Sequence, residues 1–134
     1  IERFNNTKFI IVGSAEEKKL YFDEVTKNIK KNLIIDLMGD TLTLTSSYMK
    51  KSSLFVGNDS GLMHLSVASK LKTIGLFGPT NDKIYSPKGH NCYVVRTKEN
   101  YQDLRKSINI IDQSYMNSIE VEDIIDLIIK NKLL

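Results

Sequence analysis

The chain has one cysteine, Cys92, among its 134 residues, and that excludes an intrachain disulfide. A lone cysteine is ordinarily a bystander, and a reducing compartment fits. No Cys/His spacing suggests zinc. No apolar run is much longer than a strand, so no membrane-spanning segment is expected. The amino-terminal "IERFNNTKF" has no apolar block, and no signal peptide is expected there. A strong charge of one sign is also missing. The chain carries 19 basic and 16 acidic residues, a net charge of +3. That is not the footprint of a nucleic-acid binder, and the scattered lysines read as a solvated surface. Repeats and low-complexity tracts are absent. So are a glycine-rich dinucleotide fingerprint and a P-loop, which argues against a simple NAD-binding domain and a P-loop nucleotidase.

What is there suits a packed core. The hydrophobic content is 41%, and the length predicts one domain over residues 1–134. The chain does not begin with Met, which raises the expectation of a fragment of something longer. Tag removal would leave the same start.

Short apolar runs alternate with helical patterns. Lys8 to Gly13 ("KFIIVG"), Leu33 to Asp36, Leu54 to Gly57, Thr73 to Gly78 and Tyr93 to Arg96 predict five buried strands. Between the first two, Phe22, Val25 and Ile29 fall on one helical face, with Tyr21 beside them. Glu16 and Glu17 at the start of that helix and Lys30 and Lys31 at its end suit the dipole. The "DTLTLT" stretch alternates like a strand. Yet two successive parallel strands need a crossover of about a dozen residues, and this predicts a helix from Thr43 to Lys51. Residues 97–117 read as a loop with a helical turn. The last helix shows Val121, Ile124, Ile125 and Ile128 as a buried stripe, with Ser118 as N-cap and Glu120, Glu122 and Asp123 near its first turn. The whole predicts an α/β fold, a parallel sheet with helices on both faces. Ligands of such sheets bind outside the carboxyl ends of the strands. Three polar loops lie there: "GSAEE", "NDSG" and "FGPT".

The "VGNDSGLMH" stretch carries the chemistry. A helix starting near Ser60 or Gly61 presents backbone N–H groups with no intrahelical partner. With the macrodipole they form an anion site of the kind that holds phosphate. Gly61 admits close approach, Ser60 adds a hydroxyl, and His64 lies one turn in. Asp59 would repel phosphate, so it suits the helix amides, His64 or a sugar hydroxyl. The same residues also make an ordinary helix cap, and "GPT" is an ordinary turn.

Residues 54–82, "LFVGNDSGLMHLSVASKLKTIGLFGPTND", resemble the signature of the heptosyltransferase-like enzymes of glycosyltransferase family 9. The shared pattern is Asp59-Ser60-Gly61, then His64-Leu65, a small-residue helix, and a strand ending in Phe77-Gly78-Pro79-Thr80. "IIVGSAEEKK" and the segment from Ile34 to Gly61 are similar as well, and the closing helix is weakly so. The resemblance implies the C-terminal half of a two-domain GT-B fold, with Rossmann-like domains facing across a cleft. It carries donor binding to Asp59, Ser60, Gly61 and His64. It places Glu17, with Glu16 as the alternative, at the nucleoside, and Asp40 near the base. Asp40 stands where the family often has Met or Lys. The family's catalytic base lies in the N-terminal domain, so no residue here is expected to be catalytic.

The implied function is an inverting transfer of a sugar, heptose from ADP-heptose, to a lipopolysaccharide core acceptor bound by the missing N-terminal domain. Helix amides, Ser60 and His64 would stabilise the leaving diphosphate. No cofactor and no metal are expected, and the chain has no Asp-x-Asp pair. A cytoplasmic enzyme at the inner face of the cytoplasmic membrane is implied. Two alternatives stand beside it. One is a phospho-acceptor regulatory module, which needs acids clustered at its first strand end. The other is a non-catalytic nucleotide- or sugar-binding domain.

Overall fold

The computed structural model describes residues 7–106 and 115–134. It divides into two compact units, residues 1–48 and 49–134. Its strands form two parallel ladders, β1-β2 and β3-β4-β5. The parallel α/β class is as predicted, but the strands are hydrogen-bonded within each unit.

In the first unit β1 (Phe9–Ile11) pairs with β2 (Ile34–Asp36), Phe9 opposite Ile34 and Ile11 opposite Asp36. The crossover is α1 (Ala15–Thr26), followed by a 3-10 turn at Lys31–Leu33. α1 is shorter than its apolar spacing suggests. Ile29, Lys30 and Lys31 lie beyond its end, so the helix has no basic residue in its last turn. Tyr21 and Val25 are 53% and 55% exposed, and only Phe22 of the expected stripe lies half-buried within the helix. The Lys18 ammonium anchors α1 instead, 2.5 Å from the Asp36 carboxylate at the end of β2. Burial of Asp36 pushes its pKa up. The Lys18 hydrogen bond, the Met38 N–H and the Lys18 charge outweigh that and hold it below the usual value.

The next helix is α2 (Leu42–Met49), close to the predicted span. The stretch is helical despite the period-2 alternation of "DTLTLT", although β2 and β3 lie in different ladders. Thr45 and Met49, one turn apart, are its buried residues, while Leu42 and Leu44 face solvent.

In the second unit β4 (Lys72–Phe77) lies between β3 (Leu54–Asn58) and β5 (Cys92–Arg96). Its centre is the core, with Thr73, Ile74 and Phe77 fully buried. α3 (Gly61–Ala68) covers one face. A Cβ on Gly75 would lie 2.6 Å from Met63 Sδ, so the missing side chain is the space that Met63 fills. On the same face the Thr73 and Ser66 hydroxyls are 2.7 Å apart, and both are buried. Lys72 points to the other face, where its ammonium donates to the Lys132 and Leu133 carbonyls at 3.3 and 3.0 Å. These carbonyls lie just beyond the end of α6 (Val121–Lys130).

Three details depart from the sequence reading. α6 is capped by Glu120, whose N–H donates to Asp123 at 3.3 Å. Ser118 instead accepts from the Lys98 N–H and donates to Glu99, which lowers the Glu99 pKa. Only Ile128 of the α6 stripe is buried, and Val121 is 64% exposed. A short α4 (Asp82–Tyr85), not expected, precedes β5, whereas the helical turn expected within 97–117 is found as α5 (Tyr101–Lys106), with residues 107–114 outside the described residues.

Candidate functional site

Each expected site residue lies at a strand's carboxyl end or in the segment that follows it. In the first unit β1 runs into "GSAEE" and β2 into "LMGD". The ladder continues past the strands: Leu37 donates to Ile11 O, and Gly39 to Gly13 O, both at 2.9 Å. This brings the Glu17 loop against the Asp40 turn. Gly39 has φ +85°, a left-handed turn that favours glycine. Ala15 packs on it, 3.2 Å from where a Cβ would stand.

Glu17 does a local job here. Its Oε2 accepts from the Ser14 N–H at 2.7 Å, and Ser14 Oγ accepts from the Glu17 N–H at 3.1 Å. This reciprocal capping box takes the Ser14 and Glu17 N–H groups at the start of α1. The Glu16 and Asp40 side chains are exposed and make no hydrogen bond among the described residues.

The second unit holds Asp59, Ser60, Gly61 and His64 together at the start of α3. Ser60 is the N-cap, with extended backbone, yet its hydroxyl makes no capping bond. Met63 and His64 N–H groups reach the Ser60 carbonyl at 3.2 and 3.4 Å. The N–H groups of Gly61 and Leu62 find no acceptor among the described residues. The side chains of Asp59, Ser60 and His64 make no hydrogen bond or ion pair among them either. Helical spacing explains which residues are presented: Met63 and Ser66 turn to the core, so Gly61, His64 and Ala68 lie on the outer face. Nothing stands within 4 Å of a Cβ on Gly61. The helix start is therefore open, donor-rich and lined by three uncommitted polar side chains.

The "FGPT" loop is a neighbour of this helix start, through the end of β4. Successive carbonyls there take different partners. Leu76 O accepts from the Asp59 N–H at 3.2 Å, Phe77 O from the Thr97 N–H at 2.9 Å, and Gly78 O from Arg96 Nη2 at 2.7 Å. Arg96 also ion-pairs with Asp82 and lies over the Tyr101 ring, 5.8 Å from its centroid. The Tyr101 hydroxyl accepts from Asn81 Nδ2 at 3.2 Å. A Cβ on Gly78 would lie 2.6 Å from the Tyr115 carbonyl. Arg96 is missed by sequence reasoning, which sees only the last residue of a strand. An arginine at a strand's carboxyl end, with an aspartate four residues after Gly78, is the available signal.

Among the described residues no group of three or more His, Cys, Asp or Glu side chains is placed to hold a metal ion. Burial pushes the Cys92 thiol up, away from a reactive thiolate. No helix among the described residues is long and apolar enough to cross a membrane.

Residues 2–113 match the family described as glycosyltransferase family 9 (heptosyltransferase). Lipooligosaccharide heptosyltransferase 2 of Campylobacter jejuni serotype O:2 is 39% identical over 79 residues, 56% of this chain and 24% of that protein. Lipopolysaccharide heptosyltransferase 2 of Escherichia coli K12 is 37% identical over 51 residues, 38% of this chain and 15% of that protein. The chain thus matches a quarter or less of the length of these relatives. Among solved structures, a glycosyl transferase family 9 protein from Veillonella parvula superposes with a TM-score of 0.76 at 23% identity, over 94% of this chain and 36% of that one. The E. coli ADP-heptose LPS heptosyltransferase II gives a TM-score of 0.66 at 22% identity, over 93% and 37%. Both likenesses bear on the fold.

Proposed function

Since this chain belongs to glycosyltransferase family 9, we propose that it is the donor-binding part of a sugar transferase, the C-terminal half of a GT-B enzyme, and that the start of α3 holds the diphosphate of a nucleotide sugar. The observation that carries this reading is the pair of unpartnered N–H groups at Gly61 and Leu62, in open space beside three uncommitted side chains. Free amide donors at a helix start, with the helix dipole behind them, suit an anionic group.

In this reading the acceptor hydroxyl attacks the anomeric carbon from the face opposite the leaving group, and the configuration inverts. The C–O bond to the diphosphate breaks, and negative charge grows on the leaving oxygen. The α3 amides, the Ser60 hydroxyl and His64 face that charge and need no reorganisation as it develops. They take the part that a metal ion plays in other transferases. Asp59 accepts from a sugar hydroxyl. Glu17 or Glu16 and Asp40 contact the nucleoside. Glu17 would then serve twice, because its Oε2 already holds the Ser14 N–H. The base comes from the other half of the enzyme. The donor is ADP-heptose and the acceptor a lipopolysaccharide core, which places the enzyme in the cytoplasm, at the inner face of the membrane.

The test uses this chain as it stands. Calorimetry with ADP-heptose gives measurable binding. Incubation with ADP-heptose and a heptose-deficient lipid A core acceptor gives no product by mass spectrometry. Positioning an acceptor is worth roughly 7–11 kcal/mol of barrier, and a general base about 10²–10⁴-fold. Product that disappears on mutating a residue of this chain overturns the half-enzyme reading. Absence of binding overturns the donor-site reading.

A further inference from the structure

We propose that Arg96 is a positioning residue for the donor site, acting through the arch of residues 78–82. The inference rests on the reading above. One guanidinium holds both ends of the arch: Nη2 donates to the Gly78 carbonyl at 2.7 Å, and Nη1 pairs with Asp82. Pro79, Thr80 and Asn81 hang between these two points. Asn81 is held a second time, by the Tyr101 hydroxyl, and Tyr101 in turn carries Arg96 on its ring. Four side chains from three consecutive segments therefore close one circuit.

The circuit is coupled to α3 through the backbone of β4. Gly78 lies two residues beyond Leu76, whose carbonyl takes the Asp59 N–H at 3.2 Å. Asp59 directly precedes the N-cap of α3. A shift of the arch draws on Gly78 and the end of β4, and so on the turn that aims the Gly61 and Leu62 amides. Packing leaves Gly78 little freedom to absorb the change, since the Tyr115 carbonyl and Met116 Sδ stand 2.6 and 2.7 Å from where its Cβ would be. The geometry also distinguishes arginine from lysine. A planar fork reaches a carbonyl and a carboxylate at once, as Arg96 does, where a lysine ammonium is a single point charge.

The experiment compares wild type with Arg96→Lys and Asp82→Asn, using ADP as the probe. Calorimetry measures affinity, thermal unfolding measures stability, and the amide chemical shifts of Gly61 and Leu62 in the ligand-free chain report how the start of α3 is set. Arg96→Lys keeps the charge and one contact. It is expected to stay folded at 25 °C, bind ADP about fivefold more weakly, as residues acting through a packed network do, and move both amide resonances. Asp82→Asn changes both readouts by less. A purely structural arginine lowers the unfolding temperature but leaves affinity per folded molecule and both resonances unchanged, and that result overturns the proposal. If wild type does not bind ADP, the donor-site reading falls and the proposal with it; wild-type binding with unchanged variants sinks the role of Arg96 alone.

Discussion

α1 and α3 begin alike and end up different. Each has a serine N-cap with extended backbone, φ −77° and ψ 164° at Ser14, φ −154° and ψ 172° at Ser60. Three residues on, α1 has Glu17 and α3 has Met63. Glu17 reaches back and takes the Ser14 N–H, while the Ser14 hydroxyl takes the Glu17 N–H. Met63 is fully buried against β4 and offers no acceptor, so the Ser60 N–H and hydroxyl find no partner among the described residues. The third residue decides whether the N-cap amide is taken within the helix start, and that residue is legible in sequence. The family pattern Asp-Ser-Gly gains its physical sense here: a cap without a partner.

The contrast is broken most sharply by removing Asp59. Asp59→Ala is expected to weaken ADP-heptose binding by roughly 1.5–3 kcal/mol, the value of a charge-assisted hydrogen bond. The unfolding temperature stays near wild type, because the side chain has no hydrogen-bond or ion-pair partner among the described residues. Calorimetry and thermal unfolding on the same samples check both halves, and equal affinities remove Asp59 from the site.

Next come the two serines. Ser14→Ala is expected to cost about 1 kcal/mol of stability, as loss of an N-cap does. Ser60→Ala costs far less, since no cap bond is lost, yet it weakens donor binding. Urea unfolding of the pair decides, and an equal loss at both positions means that Ser60 caps in solution. Gly61→Ala sharpens the same point: with nothing near its Cβ it folds normally, and any loss of affinity belongs to the ligand.

A smaller effect, a few-fold in affinity, attaches to His64. His64→Ala removes one donor to the bound anion and is expected to weaken binding by that amount. Calorimetry with ADP-heptose on both proteins checks this, and equal affinities leave His64 as a surface residue.

The least effect is expected at the Lys18–Asp36 pair beneath α1. The folded Asp36 carboxyl is held low, so its contribution is complete above the unfolded value, about 3.9, and is lost as pH falls through the folded one. Lys18→Met is expected to cost less than about 1 kcal/mol near pH 7, as part-exposed pairs do, and nothing once Asp36 is protonated. Acid titration of stability checks this, and a loss that persists at low pH shows that the Lys18 stem packs rather than pairs.

The strands and their parallel sense were legible from short apolar runs separated by helical patterns, and α2 was expected from a crossover rule although β2 and β3 lie in different ladders. Helix ends were less so. The spacing of Phe22, Val25 and Ile29 suggested a longer α1, but a sequence window does not report whether a face finds a partner. Ser118 has the right chemistry for a cap and is used elsewhere, because Glu99, distant in sequence, competes for its hydroxyl. The Arg96 clamp was hidden for the same reason. Its contacts span 14 and 18 positions, and no local pattern encodes them.

The Lys72 ammonium has a consequence for the order of events during synthesis. Its carbonyl partners lie 60 and 61 positions downstream. At about 5–20 residues per second, a ribosome takes roughly 3–12 s to make that stretch. Through that interval β4 can pair with β3 and take up α3, while the Lys72 ammonium waits for carbonyls that do not yet exist.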